Sequence, residues 1–219
     1  MAPRAARGMS VVQQRIADPI SCVSVVQEPA QLGRICNADC AGVIWQRQPV
    51  QDFQRWIDGL SPENLPSGRL ILRPHMVWDA VGNLCDNAGT PKGDERDRLV
   101  DDIAALADIF AATMQAPFLR VRLDKITTNA CRKFHVDALT ARMICTYRGA
   151  GTQYGMAHGG GDPRRVMSVP TGAPFVLRGT KWPVTPAAGL LHRSPPIEGS
   201  GETRLVLVLD PVLDEATEI

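Results

Sequence analysis

Apolar residues follow a helical repeat before residue 117 and an alternating repeat after it. In residues 94–115 they recur at steps of four, three and four, which predicts one long amphipathic helix. The residues that carry this repeat are Leu99, Ile103, Leu106 and Phe110. Acidic residues suit the start of this helix, and Pro117 would end it. Residues 52–60 predict a shorter helix, whereas residues 82–93 carry turn residues without a repeat and predict a loop.

The second half of the chain predicts short strands separated by Gly and Pro. Every second residue from Leu119 to Leu123 is apolar, and the polar residues that alternate with them are Arg120, Arg122 and Asp124. Further strands are predicted at 141–147, 165–169, 174–178 and 204–210. Because residues 204–210 are the most apolar of these, we expect that strand at the centre of a sheet. Such a series favours a sandwich or barrel, and a double-sheet jelly roll of the cupin kind fits it.

These patterns predict an α+β fold, with an N-terminal helical region packed on a C-terminal double-stranded β-helix, a cupin-like jelly-roll barrel. The predicted boundaries are a tail at 1–10, a mixed but mainly helical region at 11–116, a barrel core at 117–212 and a tail at 213–219. A chain of 219 residues is long enough to bury a sizeable core, so we expect one globular unit.

Charge and composition exclude several classes of protein. The chain has 24 Lys and Arg against 23 Asp and Glu, a balance that argues against nucleic acid as the main partner. No apolar run approaches the roughly 18 residues of a membrane helix, and no apolar segment follows the first arginines as in a secretory signal. We therefore expect a cytoplasmic protein with its six cysteines reduced. Cys36 and Cys40 have metal-ligand spacing but lack a second pair, so ordinary thiols are the expectation.

The candidate chemistry rests on two of the four histidines. His135 and Asp137 are two residues apart, so on an extended chain both side chains point to the same side. His192, just before strand 204–210, would complete a set of two histidines and one carboxylate. That set leaves positions open for substrate and oxygen, as in non-heme Fe(II) oxygenases. Arg204 carries a planar donor fork suited to a carboxylate. We expect no catalytic residue beyond the metal ligands.

Two further residues are candidates for cosubstrate binding. Tyr147 ends strand 141–147, where its hydroxyl could bind a cosubstrate, although a packed aromatic residue is the alternative. Arg142 shares a face of that strand with Ile144, so it could reach the C1 carboxylate of 2-oxoglutarate or form an outward salt bridge. Residues 149–161 contain six glycines and predict a loop that could cover the site, with His158 as a candidate further ligand.

The order His-x-Asp, His, Arg resembles that of the jelly-roll Fe(II)/2-oxoglutarate-dependent dioxygenases. The resemblance covers about residues 117–210 and implies iron at His135, Asp137 and His192, with Arg204 on the far carboxylate of 2-oxoglutarate. A closer resemblance is to the bacterial family with domain of unknown function 1826. Its motifs are Cys131-Arg-Lys-Phe-His-Val-Asp137, Thr146-Tyr-Arg-Gly149, Lys181-Trp-Pro183, His192-Arg-Ser-Pro-Pro196 and Trp45-Gln-Arg47. That family implies a role in metal supply or stress, linked to zinc homeostasis.

Three functions therefore stay open. The first is an Fe(II)/2-oxoglutarate-dependent oxygenase whose substrate is a small molecule or peptide. The second is a non-catalytic protein that binds zinc or another metal through the same three side chains. The third is an interaction protein on a degenerate jelly roll, which predicts no stoichiometric metal.

Overall fold

The protein is described here by a computed structural model that covers residues 22–183 and 189–213. The predicted tail at 1–10 and residues 214–219 of the second tail lie outside these ranges. The strands are β1 (Val23–Val26), β2 (Gly42–Trp45), β3 (Gly68–Leu72), β4 (Phe118–Ile126), β5 (Ala141–Arg148), β6 (Gln153–Met156), β7 (Met167–Ser168), β8 (Phe175–Arg178), β9 (Leu190–Arg193) and β10 (Arg204–Val212). The α-helices are α1 (Gln51–Gly59), α2 (Val77–Asn87) and α3 (Asp94–Met114), and 3₁₀ turns cover Pro29–Cys36, Pro62–Asn64 and Pro74–Met76.

Seven strands form one large sheet in the order β1-β2-β8-β5-β10-β4-β3. The β1–β2 pair is parallel, and the other neighbours are antiparallel. The most apolar strand, β10, lies between β5 and β4, which confirms its predicted central position. Its register with β5 shifts at Leu205 and Val206, just after Arg204 at the start of the strand.

The helices pack on one face of the large sheet. The four apolar residues that predicted the long helix are buried in the core between α3 and the sheet. On β4, Leu119, Val121 and Leu123 point into the same core, as their alternation predicted. The helix predicted at 52–60 is also confirmed as α1. No helix in the described part of the chain is long and apolar enough to span a membrane.

The loop predicted at 82–93 is wrong, because α2 extends to Asn87. Val77, Val81 and Cys85 are spaced by four residues and are buried against the core. Gly82 and the Asn and Asp residues nearby suggested a turn, but the burial of one apolar face outweighs these local preferences.

A smaller sheet, in the order β7-β6-β9, packs against the other face of the large sheet. The core between the two sheets includes Tyr154, Phe175, Leu190 and Val206. The segment 149–161 is therefore not one loop, since β6 occupies its middle. Gly155 in β6 is required by close packing, because an added Cβ would lie 2.5 Å from the carbonyl oxygen of Arg165. The α+β expectation is confirmed, with helices on one face of the large sheet and the small sheet on the other.

The N-terminal part of the chain supplies strands as well as helices. Strands β1 and β2 form one edge of the large sheet, and β3 forms the other. Strands from both sides of residue 117, where the hydrophobic repeat changes, therefore belong to the same sheet. These three strands of four or five residues were not visible in the sequence pattern, because a short apolar run has no measurable period.

Candidate metal centre

The structure brings together the three predicted metal ligands. His135, Asp137 and His192 each offer one ligand atom, and these atoms all lie within 4.8 Å of one another. His192 belongs to β9, and His135 lies beside it in an antiparallel bridge. Each backbone N–H donates to the carbonyl oxygen of the other histidine, at 3.1 and 3.0 Å. The edge of the small sheet thus fixes the spacing of the two imidazoles.

The ring of His135 is oriented by a backbone carbonyl. Its Nδ1 lies 2.9 Å from the oxygen of Lys133, an acceptor that requires the proton on Nδ1. In the neutral ring this tautomer leaves the lone pair on Nε2, the atom that lies 3.5 Å from Oδ1 of Asp137. A hydrogen bond from Nδ1 to a backbone carbonyl, like the one to Lys133, commonly fixes the tautomer of a metal-binding histidine.

Asp137 is held through both its backbone and its side chain. Its carbonyl oxygen accepts from the N–H of Thr180 at 2.9 Å, next to Gly179. An added Cβ on Gly179 would lie 2.0 Å from the oxygen of Leu139 and 2.7 Å from that of Asp137, so only glycine fits there. Arg142 donates to Oδ1 of Asp137 at 2.6 Å. The second oxygen, Oδ2, lies 3.2 Å from Nε2 of His192 and accepts no other hydrogen bond from the described residues.

The local charges favour the ligating forms of both groups. Burial opposes ionisation of Asp137, but His192, with further help from Arg142, outweighs it and lowers the pKa of the carboxyl. Burial lowers the pKa of His192, and Asp137 offsets only part of that effect. A carboxylate and a neutral imidazole are the protonation states that bind metal.

The donor set fits a divalent transition metal. Two ligand atoms that each bind a metal at about 2.1 Å lie roughly 3.0 Å apart at octahedral angles and roughly 3.4 Å apart at tetrahedral angles. The distance of 3.2 Å between Nε2 of His192 and Oδ2 of Asp137 lies between these values, and the ligand atoms of all three residues lie within 4.8 Å of one another. Two imidazoles and one carboxylate suit Fe(II) with open positions, and they also suit zinc.

Arg204 lies buried in the same region, with only 1% of its surface exposed. Its Nε donates to the carbonyl oxygen of Ala150 at 2.6 Å, and one terminal nitrogen donates to the hydroxyl of Thr146 at 3.3 Å. The other terminal nitrogen, Nη1, is buried and has no hydrogen-bond partner in residues 22–183 and 189–213. Burial lowers the pKa of Arg204 to about 10, and Glu202 offsets this only in part. One terminal nitrogen of the guanidinium therefore meets no acceptor in the part of the chain that the structure describes.

One cavity of about 100 Å³ is lined by both Arg204 and the two candidate histidine ligands. His135 and His192 line it on one side, and apolar residues of β5 and β10 form part of the wall. Arg142 also lines this cavity, as predicted from its strand face. However, its Nε and Nη2 donate to Asp210 at 2.6 and 2.8 Å, so Arg142 links that carboxylate to Asp137.

Tyr147 does not lie in this cavity. It points to the opposite face of β5, into the core beneath the helices. Its hydroxyl donates to Oδ2 of Asp102 at 2.6 Å, and Asp102 also accepts two hydrogen bonds of 2.6 Å from Arg47. Burial raises the pKa of Tyr147 well above its ordinary value. The structure thus favours the packed aromatic residue over the cosubstrate contact, as the alternation along β5 would have indicated.

Two other sequence candidates are also outside the centre. His158 forms an isolated bridge with Gly161 and does not join the three ligands. The six cysteines are free thiols, with Cys36 exposed and Cys40 buried. Sequence analysis missed Asp210, whose signal was a carboxylate inside the most apolar strand. It also missed Gly179, for which the sequence offered no signal beyond a glycine at a strand end.

The chain matches a known family over most of its length. The family described as "Protein of unknown function (DUF1826)" matches residues 26–210, and the chain belongs to it. A comparison with curated protein sequences finds no match.

Solved structures of several oxygenases are similar to this chain. They include dioxygenase for auxin oxidation 1 from Arabidopsis thaliana, in complex with 2-oxoglutarate, at 12% identity and a TM-score of 0.49 over 90% of this chain and 95% of that one. The rice dioxygenase for auxin oxidation has 12% identity and a TM-score of 0.49, over 89% of this chain and 84% of the rice chain. A Pseudomonas putida prolyl-4-hydroxylase has 11% identity and a TM-score of 0.45, over 85% of this chain and 100% of the hydroxylase chain.

Proposed function

We propose that the protein is an Fe(II)- and 2-oxoglutarate-dependent oxygenase on a double-stranded β-helix. The observation that carries the proposal is the buried Nη1 of Arg204, which has no hydrogen-bond partner among the described residues. Arg204 lines the same cavity as His135 and His192. A buried cation without a counter-ion is costly unless a ligand supplies the negative charge. A dicarboxylate that reaches from the metal to Arg204 supplies it.

Each residue has a distinct role in this proposal. His135, Asp137 and His192 would hold the metal, and Arg142 keeps Oδ2 of Asp137 directed toward it by occupying Oδ1. Arg204 would receive the far carboxylate of 2-oxoglutarate. When bound, iron supplies the redox chemistry that couples O₂ and 2-oxoglutarate to oxidation of a substrate. The chain itself contributes ligand orientation, charge compensation and a shielded cavity.

Equilibrium binding under anaerobic conditions tests these roles separately. We expect the wild-type chain to bind one Fe(II) and then one 2-oxoglutarate. Asp137→Asn should lose metal because it removes the anionic ligand. Arg204→Met should retain metal but bind 2-oxoglutarate at least about tenfold more weakly, since a charge-assisted hydrogen bond contributes about 1.5–3 kcal/mol. Arg55→Met, on the exposed face of α1, serves as the matched control.

Two results would contradict the proposal. One is binding of 2-oxoglutarate that Arg204→Met leaves unchanged. The other is tight zinc binding by the same three residues with no 2-oxoglutarate binding, which would favour the non-catalytic metal-binding protein.

A further inference from the structure

Strand β10 carries a buried carboxylate on the same side of the sheet as the metal centre. Asp210 is only 3% exposed and lies near the end of the most apolar strand. It follows Val206 and Val208 at steps of two, and both valines belong to the core between the two sheets. Because burying a carboxylate is costly unless it is paired, the partners of Asp210 indicate what it does.

Arg142 pairs with Asp210 across the ladder between β5 and β10. Leu209 lies opposite Met143 in this antiparallel pair, and Asp210 and Arg142 come next in the same register. Nε of Arg142 donates to Oδ1 of Asp210 at 2.6 Å, and Nη2 donates to Oδ2 at 2.8 Å. Two parallel hydrogen bonds fix the plane and the direction of a guanidinium group. The carboxylate of Asp210 therefore determines where the remaining nitrogen of Arg142, Nη1, points.

This remaining nitrogen contacts the carboxylate among the candidate metal ligands. Nη1 of Arg142 donates to Oδ1 of Asp137 at 2.6 Å, so one oxygen of Asp137 is occupied. The other oxygen, Oδ2, is buried and lies 3.2 Å from Nε2 of His192, and it accepts no other hydrogen bond from the described residues. The guanidinium of Arg142 thus divides its donors between a carboxylate that anchors it and a carboxylate that offers one oxygen to a metal.

The anchor matters because arginine beside a single carboxylate tends to bind both of its oxygens through two parallel N–H groups. If Arg142 bound Asp137 in that way, its donors would compete with a metal for Oδ2. Asp210 prevents this, since it already holds Nε and Nη2 of the same guanidinium. Only Nη1 is then left for Asp137.

We propose that Asp210 is a positioning residue of the metal centre: it holds Arg142 on Oδ1 of Asp137 and so keeps Oδ2 available to the metal. This inference rests on the metal site of the proposed function and extends that site to a residue outside the ligand set. Removing a contact that orients a metal ligand commonly lowers metal affinity about 10- to 100-fold.

Asp210→Asn tests the inference, with metal affinity as the measurement. The amide keeps the shape of the side chain, but it removes the charge and turns an N–H₂ donor toward the donors of Arg142. We expect the full chain with this change to bind zinc and Co(II) at least about tenfold more weakly, measured by competition with a chelator. We also expect the d–d absorption bands of the Co(II) form to shift, because these bands report the ligand geometry around the metal.

Asp102→Asn is the matched control for loss of a carboxylate that pairs with arginine. Asp102 accepts two hydrogen bonds of 2.6 Å from Arg47, but this pair lies on the helix side of the large sheet. Both variants break one arginine–carboxylate pair, so both should be less stable in urea. Only Asp210→Asn should change the metal affinity and the Co(II) spectrum.

Arg142→Lys provides the same test if Asp210→Asn does not fold. Lysine keeps the positive charge but lacks the planar fork that contacts two carboxylates at once. We expect this variant also to bind zinc at least about tenfold more weakly than wild type.

The outcomes separate this inference from the proposed function. Weaker zinc binding and a shifted Co(II) spectrum in Asp210→Asn, with both unchanged in Asp102→Asn, support the positioning role. Wild-type metal affinity in Asp210→Asn or in Arg142→Lys overturns it, as does an equal loss in Asp102→Asn. A wild-type chain that binds zinc but not 2-oxoglutarate contradicts the oxygenase proposal alone, because the comparison of the variants still decides the role of Asp210.

Discussion

Arg204→Met should make the protein without ligands more stable while it weakens the binding of 2-oxoglutarate. Arg204 is almost fully buried, and no carboxylate of the described residues pairs with it at hydrogen-bond distance. Met has a similar length and no charge to desolvate. Replacing a buried charge by an apolar side chain of similar volume is often neutral or stabilising.

The size of the expected stabilisation follows from the pKa of Arg204. Burial lowers this pKa to about 10, and each pKa unit corresponds to about 1.4 kcal/mol, so keeping the group charged costs about 3 kcal/mol. The cost is present at every pH below about 10 and declines as the pH rises beyond it. Losing the hydrogen bond to Ala150 costs about 1–2 kcal/mol. We therefore expect a net gain of about 1–2 kcal/mol in the free energy of unfolding at pH 7.

Arg178 provides a matched control of opposite sign. It is also buried, but its guanidinium donates to the carbonyl oxygens of Ile35 and Asn37 at 2.6 to 3.0 Å. It also stacks on the ring of Trp182 at 4.5 Å. Arg178→Met would leave these carbonyls unpaired, so we expect a loss of about 2–4 kcal/mol in the free energy of unfolding.

Urea denaturation measures the stability changes of Arg204→Met and Arg178→Met. Repeating it with 2-oxoglutarate and metal measures the response to the ligand. A ligand at 100 times its dissociation constant adds about 2.7 kcal/mol to the stability of the wild-type chain. At the same concentration of 2-oxoglutarate, binding that is tenfold weaker or more adds at most about 1.4 kcal/mol to Arg204→Met. If Arg204→Met without ligand is less stable than wild type by more than about 1 kcal/mol, the assignment of Arg204 as an uncompensated cation is refuted.

Three further predictions concern other parts of the chain. Gly179→Ala should weaken metal binding at least about tenfold, measured by competition with a chelator, because its Cβ would lie 2.0 Å from the oxygen of Leu139 and displace the segment that carries Asp137. Tyr147→Phe should cost about 1–2 kcal/mol in urea denaturation and leave 2-oxoglutarate binding unchanged, since its hydroxyl bonds in the helix-side core. Iodoacetamide at pH 8 should label exposed Cys131 and spare Cys145, whose pKa burial raises to about 12, as read by peptide mass spectrometry.

Each of these predictions has a clear contrary result. Gly82→Ala, where an added Cβ meets nothing within 4 Å, is the control for Gly179→Ala, and equal metal affinity in both variants would contradict the packing argument. Weaker 2-oxoglutarate binding in Tyr147→Phe would instead support a contact between Tyr147 and the cosubstrate. Labelling of Cys145 as fast as that of Cys131 would show that its core opens readily.

The sequence predicted the parts of the fold that have a long hydrophobic period. Helix α3 and strand β4 follow from repeats over 21 and 9 residues, and the apolar residues predicted for their core faces are buried. Strands β1, β2, β6 and β9 have four residues each, too few to show alternation. Their pairing depends on partners that are distant in the chain, so local pattern could not predict it.

The sequence predicted which three residues come together at the candidate site, but not the contacts that support them. His135 and Asp137 share one face through their i, i+2 spacing, and the structure brings His192 to them. The pairing of Arg142 with Asp137 and Asp210 depends on three strands meeting, which no local motif encodes. Tyr147 was a candidate because it ends β5, although its position in the alternation of β5 already indicated the opposite face.

The most direct test of the central claim is an anaerobic absorbance titration of metal-stripped protein with Fe(II) and then with 2-oxoglutarate, with His135→Ala in parallel. The account predicts a visible metal-to-ligand charge-transfer band that appears only when both are present and saturates at one equivalent of each. The band should be absent in His135→Ala. A wild-type protein that retains zinc tightly and forms no band with iron and 2-oxoglutarate would contradict the account.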